Sequence, residues 1–149
     1  MTPRRVLGAV AFAAVACLTA AAPAHAPQGI AGTPPVTILY QNFPNPFPTA
    51  TSPTTCLWFD LASSANVTLA VYDLRGRLVR TIVPSSQIPR TLVAGYYGRG
   101  SSGVGGGCDA RFAWDGRGSD GRTVPAGVYL ARLGVDGSWQ MRKIVFRGP

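Results

Sequence analysis

Few residues in this chain could do chemistry. There is one histidine, His25, and the six acidic residues are all aspartates: Asp60, Asp73, Asp109, Asp115, Asp120 and Asp136. A Ser-His-Asp or Cys-His relay needs an imidazole beside its nucleophile, and His25 lies ahead of every segment with strand character. Paired-carboxylate hydrolysis fares no better, because the aspartates stand mostly in turn contexts. Cys17, Cys56, Cys108 and a single histidine do not make a zinc set. The nearest approach to a metal loop is Asp115-Gly116-Arg117-Gly118-Ser119-Asp120-Gly121. Calcium takes about six to eight oxygens; this loop offers two carboxylates with an arginine between them, and Asp-Gly turns closing a hairpin account for it. The glycines around Gly103 to Gly107 lack the Lys-Ser/Thr pair and the following helix of a phosphate cradle. The expectation is a chain with no catalytic residues, no metal and no cofactor.

The N-terminus sets the compartment. Arg4 and Arg5 precede an uncharged run from Val6 to Ala22 and a small-residue tail, the pattern of an export signal, with cleavage after Ala24. Two alternatives stay open, lipoprotein processing at Cys17 and a retained anchor, for which residues 6–22 sit at the short limit of a bilayer span. Each places the rest of the chain across the cytoplasmic membrane, periplasmic or extracellular. Cys56 and Cys108 then meet an oxidising environment, and a disulfide between them is expected, with two buried free thiols as the alternative.

The net charge of +8 comes from 14 basic residues against six acidic ones. Nucleic acid is the usual partner for such a balance, but the compartment excludes it and the arginines are spread along the chain. Anionic lipid, lipopolysaccharide or a protein partner in the envelope fits better, with ordinary solvated arginines as the alternative.

The positioning elements read as strands. Hydrophobic residues are 46% of the chain and charged residues 13%, with 18 Gly and 13 Pro, which favours short strands and turns. Residues 25–35 form a Pro/Gly/Ala linker, and the folded domain is expected over 36–149. Val36 to Tyr40 is an edge strand. Cys56 to Leu61 and Val67 to Tyr72 alternate, Gly76 turns the chain, and Leu78 to Val83 returns as a hairpin partner. Arg111 to Trp114, Val128 to Leu133 and Trp139 to Phe146 complete about seven strands, and no helical period follows residue 26. Pro84 to Gly107 reads as a long glycine-rich loop.

Three segments together look familiar: QNFPNPF at Gln41 to Phe47, VYDLRGRLVRTIV at Val71 to Val83, and WDGRGSDGRTVPAGVYLARL at Trp114 to Leu133. They resemble the Ig-like domain of the flagellar hook-capping type and the C-terminal sorting domain of type IX secretion cargo. The resemblance covers about Ile38 to Arg147 and implies an Ig-like antiparallel β-sandwich used for anchoring, sorting or assembly. Its structural signature falls on Phe43, Pro44, Asn45, Pro46, Phe47, Trp114, Asp115, Gly116, Gly127 and Tyr129, with Gly118 where the family usually has an acidic residue. Phe43 and Phe47 are both expected to pack under the sandwich edge.

Docking residues are expected in two places. The loop from Pro84 to Gly107 departs most from the family and holds Tyr96, Tyr97 and Arg99, types enriched at interface hot spots; removing Gly95 to Gly106 is expected to leave the sandwich folded. The alternative is an exposed face carrying Trp58 and Leu130, with Val128 beside Leu130 and Trp139 at a strand edge. The expected function is a non-catalytic envelope module that docks onto an assembly. The second reading is an accessory subunit, tethered through residues 6–22, that braces a membrane protein complex from the periplasmic side.

Overall fold

Two runs of β-branched and apolar residues at every second position generate the framework, because a strand sends alternate side chains to opposite faces. A computed structural model describes residues 32–100 and 107–149; the export segment, the linker through residue 31 and Cys17 lie outside the described residues. In chain order the strands are β1 (Ile38–Leu39), β2 (Thr55–Cys56), β3 (Phe59–Leu61), β4 (Ala65–Asp73), β5 (Leu78–Val83), β6 (Thr91–Leu92) and β7 (Gly95–Tyr97). A 3-10 turn at Ala110–Phe112 precedes β8 (Ala113–Trp114), β9 (Gly127–Val135) and β10 (Ser138–Phe146). The roughly seven expected strands resolve into ten, because turns and prolines break the edge segments into pieces of two or three residues. The expected strand from Arg111 to Trp114 is one such case: Asp109 accepts a hydrogen bond from the Arg111 amide and winds the first half into the 3-10 turn.

The strands form an antiparallel β-sandwich. The large sheet has the order β10-β9-β4-β5, with β6 extending the β5 side of β4; the small sheet has the order β1-β3-β7, and β2 pairs with β8 beside it. Inward positions of the large sheet include Val67, Leu69 and Val71 on β4 and Ala131 and Leu133 on β9, all buried. They meet Leu39, Leu57, Phe59 and Leu61 from the other layer. At one end Trp114 closes the core. Its ring lies 5.4 Å from Phe47, 5.9 Å from Phe146 and 5.1 Å from Tyr129, and its indole N–H donates to the Arg117 carbonyl at 2.8 Å.

The disulfide Cys56–Cys108 is formed, with Cα atoms 5.7 Å apart and a sequence separation of 52. It joins β2 to the segment just ahead of the 3-10 turn. Closing a loop of that length removes on the order of 4 kcal/mol of unfolded-chain entropy.

Two of the three familiar segments, Gln41 to Phe47 and the turn after Trp114, cover part of the edges of the large sheet. Along β10, Gln41 and Asn45 donate side-chain amides to the Lys143 carbonyl at 2.8 and 2.9 Å, and the Asn45 side-chain oxygen accepts from the Val145 amide at 2.8 Å. Phe47 then pairs through its own backbone, its N–H with the Val145 carbonyl and its carbonyl with the Arg147 N–H. On the opposite edge, the Ser119 N–H donates to the Val79 carbonyl at 2.9 Å and Arg80 donates to the Gly118 carbonyl at 3.2 Å. Unpaired edges invite another strand, and here the Lys143 to Arg147 end of one edge and the Val79 to Arg80 stretch of the other are covered from within. At Gly118 a Cβ would sit 2.9 Å from an Asp120 carboxylate oxygen, so a side chain there would require the Asp120 carboxylate to move aside.

Phe43 corrects the expectation made for it. Phe47 is fully buried, whereas Phe43 is 67% exposed, although both stand beside prolines. Phe43 exchanges backbone hydrogen bonds with Cys56, and that register turns its ring away from the core.

Candidate functional site

The Asp115 to Gly121 double turn is closed by its own groups: the Asp115 carboxylate accepts from the Arg117 amide, and Asp120 accepts from the Arg122 amide. Among the described residues no group of three His, Cys, Asp or Glu side chains could hold a metal. Gly116 has φ +77°, and a Cβ there would lie 2.4 Å from the Phe146 ring, so this turn needs a glycine for both conformation and space.

The expected docking loop is a different object. Gly95–Tyr97 is strand β7, paired with β3 so that Tyr96 stands opposite Asp60 and Tyr97 opposite Phe59. Tyr97 stacks on Phe59 with centroids 4.9 Å apart, and its hydroxyl donates to the Val93 carbonyl. Arg99 donates to the Asp60 carboxylate at 2.6 Å, and the guanidinium lies over both Tyr40 and Tyr96. Asp60 is 5% exposed and accepts the Tyr40 hydroxyl on its other oxygen at 2.7 Å. That bond, then burial, raises the Tyr40 phenol above its ordinary value. Tyr96, Tyr97 and Arg99 thus have structural roles: a buried carboxylate needs a paired cation, and Arg99 is held there. Removing Gly95 to Gly106 would delete β7 and this pair, so that deletion reaches into the small sheet and is expected to lower its stability. Of the predicted loop, 101–106 lie outside the described residues.

Trp58 and Leu130 do not share a face. Trp58 alternates with buried Leu57 and Phe59 and points outward from the small-sheet layer, whereas Leu130 points outward from the large sheet. Trp58 lines an apolar cleft of about 520 Å³ with Phe43, Pro44 and the disulfide, and its indole N–H has no acceptor among the described residues.

The outer face of the large sheet carries three of the exposed large apolar groups, while Val36, Leu74 and Val93 lie outside its strands. On β9, Val128, Leu130 and Arg132 alternate with buried Tyr129, Ala131 and Leu133. Directly opposite on β10 stand Val145, Lys143 and Met141, and Trp139 faces Gly134. On the other side Tyr72 lies opposite both Leu130 and Leu78. Leu78, Trp139 and Met141 are 56%, 50% and 54% exposed. Val128, Leu130 and Trp139 were legible from alternation. Leu78, Met141 and Arg132 were not singled out, although the same alternation, applied to β5 and β10, marks them as outward.

This face also explains part of the basic excess. Arg77, Arg99, Arg111 and Arg117 each hold an aspartate. The two cations that point outward on the large sheet, Arg132 and Lys143, hold none among the described residues. Residues 6–22 are not described, and among the described residues no helix is long and apolar enough to cross a membrane.

Fold and surface together define a class: an antiparallel β-sandwich with partly covered edges and one partly apolar, basic sheet face. No protein-family model matches the chain, and no curated protein matches it. Among solved structures it is similar to PorZ of Porphyromonas gingivalis, described as an essential bacterial surface component of the type-IX secretion system, at 17% identity and a TM-score of 0.43, over 72% of this chain and 11% of that one. It is also similar to dimeric latent PorU of Porphyromonas gingivalis, at 21% identity and a TM-score of 0.44, over 76% of this chain and 9% of that one. The chain thus spans about a tenth of the length of these neighbours.

Proposed function

We propose that this chain is a non-catalytic interaction module of the cell envelope that docks onto a protein partner through the outer face of β10-β9-β4-β5. The carrying observation is the presence of half-exposed Leu78, Trp139 and Met141 on a single sheet face whose two edges are partly covered. Large apolar side chains clustered at a surface mark contact sites, whereas scattered ones need no explanation. Partial cover of both edges of this sheet disfavours strand addition there and favours face-to-face packing.

The test is Leu130→Asp in native cells. Leu130 is half-buried at the centre of the face, and a carboxylate there is repelled by an apolar partner yet remains hydrated in the free module. The variant is expected to keep its disulfide and its urea midpoint while moving from the envelope fraction to the soluble fraction. Unchanged fractionation overturns the assignment of the face.

A further inference from the structure

We propose that Arg132 is a carboxylate anchor, and that the outer sheet face receives an acidic, apolar segment of another protein, with one Asp or Glu side chain in the guanidinium fork. This rests on the docking reading above and names the chemistry of the partner.

The anchor is built by three residues. The Arg132 guanidinium carbon lies 3.6 Å from the centre of the Trp139 ring, with Tyr72 on its other flank at 5.7 Å. Trp139 can lie flat there because its cross-strand neighbour is Gly134, where a Cβ would sit 2.2 Å from the indole. The arginine is thereby ordered before any ligand arrives, which removes part of the entropic cost of binding. Stacking uses the flat face of the guanidinium and leaves its edge, with its planar array of N–H donors, pointing away from the rings. That edge matches a carboxylate in bidentate geometry.

Charge complementarity selects the occupant. Among the described residues no aspartate pairs with Arg132; the nearest acidic group to this face, Asp136 in the β9-β10 turn, shares a cleft with Trp139 and accepts the Asn66 amide. A second copy of the chain is a poor donor of the missing carboxylate, because all six aspartates are engaged locally. Asp60, Asp73, Asp109 and Asp115 hold arginines, and Asp120 and Asp136 accept the backbone amides of Arg122 and Asn66. A lipid surface would call for a cluster of cations, whereas Arg132 and Lys143 are separated by apolar residues and Arg90, at the margin beside Trp139, shares its cleft with Asp136. A single carboxylate among apolar side chains fits what is there.

The test pairs a binding assay with the native localisation. Two synthetic peptides are used, acetyl-Val-Glu-Val-Leu-Glu-Val-amide and the same peptide with Gln for Glu, together with phosphatidylglycerol vesicles and sedimentation equilibrium of the protein alone. The Glu peptide is expected to bind about tenfold tighter than the Gln peptide. Arg132→Gln should erase that difference without moving the urea midpoint, and Arg132→Lys should restore only part of it. Gly134→Ala, which displaces the Trp139 ring without touching a charge, should weaken the preference as well. Equal binding of the two peptides, binding of neither, binding to the vesicles alone, or self-association that Arg132→Gln abolishes would each overturn the anchor. In native cells, release by Leu130→Asp but not by Arg132→Gln leaves the docking face standing and removes the anchor; release by neither removes both.

Discussion

Replacing Arg99 with Met separates a structural arginine from a contact arginine. In the fold, Arg99 donates to Asp60 at 2.6 Å, with side chains 22% and 7% exposed. Removing one member of a fully buried pair costs about 3–5 kcal/mol, because the other charge is stranded. Two features lower that value: the guanidinium is partly wetted, so water can enter in its place, and the Tyr40 hydroxyl still satisfies one Asp60 oxygen. Loss of the stacking on Tyr40 and Tyr96 adds back about 0.5–1 kcal/mol for each ring. The balance is about 2–4 kcal/mol, or roughly 8–16 °C at about 4 °C per kcal/mol for a domain of this size. Urea titration and calorimetry under oxidising conditions read it directly. Arg132→Met serves as the control, since it removes an arginine that holds no carboxylate and should cost under about 1 kcal/mol. If Arg99→Met melts with the wild type while losing envelope association, the placement of Arg99 in the structural ion pair is refuted and the residue is a contact.

Three further outcomes are expected. Gly116→Ala and Gly76→Ala both force alanine into a positive φ, at about 1–2 kcal/mol each. Only the first drives a Cβ into a buried ring, so it should cost about 1–3 kcal/mol more in urea, and equal midpoints would contradict the Gly116–Phe146 contact. Phe47→Ala should cost about 3–5 kcal/mol and Phe43→Ala under about 0.5 kcal/mol; a reversed order in thermal melts would show that the corner is misassigned. Tyr40 is raised by its hydrogen bond to Asp60, Tyr97 by burial, and Tyr129 by burial and then the Asp73 charge. Below the unfolded phenol value of about 10 both states are protonated and this stabilisation is fully present; above it the unfolded chain ionises first. The melting temperature should therefore fall as pH rises beyond about 10, and less steeply in Tyr40→Phe, whereas a melting temperature that held level or climbed there would contradict the assigned shifts.

What could be read without the fold was whatever is encoded by spacing along one segment. Alternation placed Leu69 and Val71 inside, gave the β4-β5 and β9-β10 hairpins, and turned Leu130 and Val128 outward. Compartment chemistry paired Cys56 with Cys108, because no other thiol follows them. Local pattern failed wherever the deciding partner was remote. Phe43 and Phe47 each stand beside a proline, and the pairing of Phe43 with Cys56 and of Phe47 with Val145 and Arg147, about 100 residues on, decides which ring is buried. Tyr96, Tyr97 and Arg99 have interface composition, but Asp60, 39 residues earlier, claims the arginine. Likewise the stacking of Trp139 on Arg132 needs Gly134 across the hairpin, which no single strand reveals. A strand's own residues determine its direction and its two faces; the register between distant strands determines which groups meet, and with it whether a polar side chain is consumed by the core or left free for a partner.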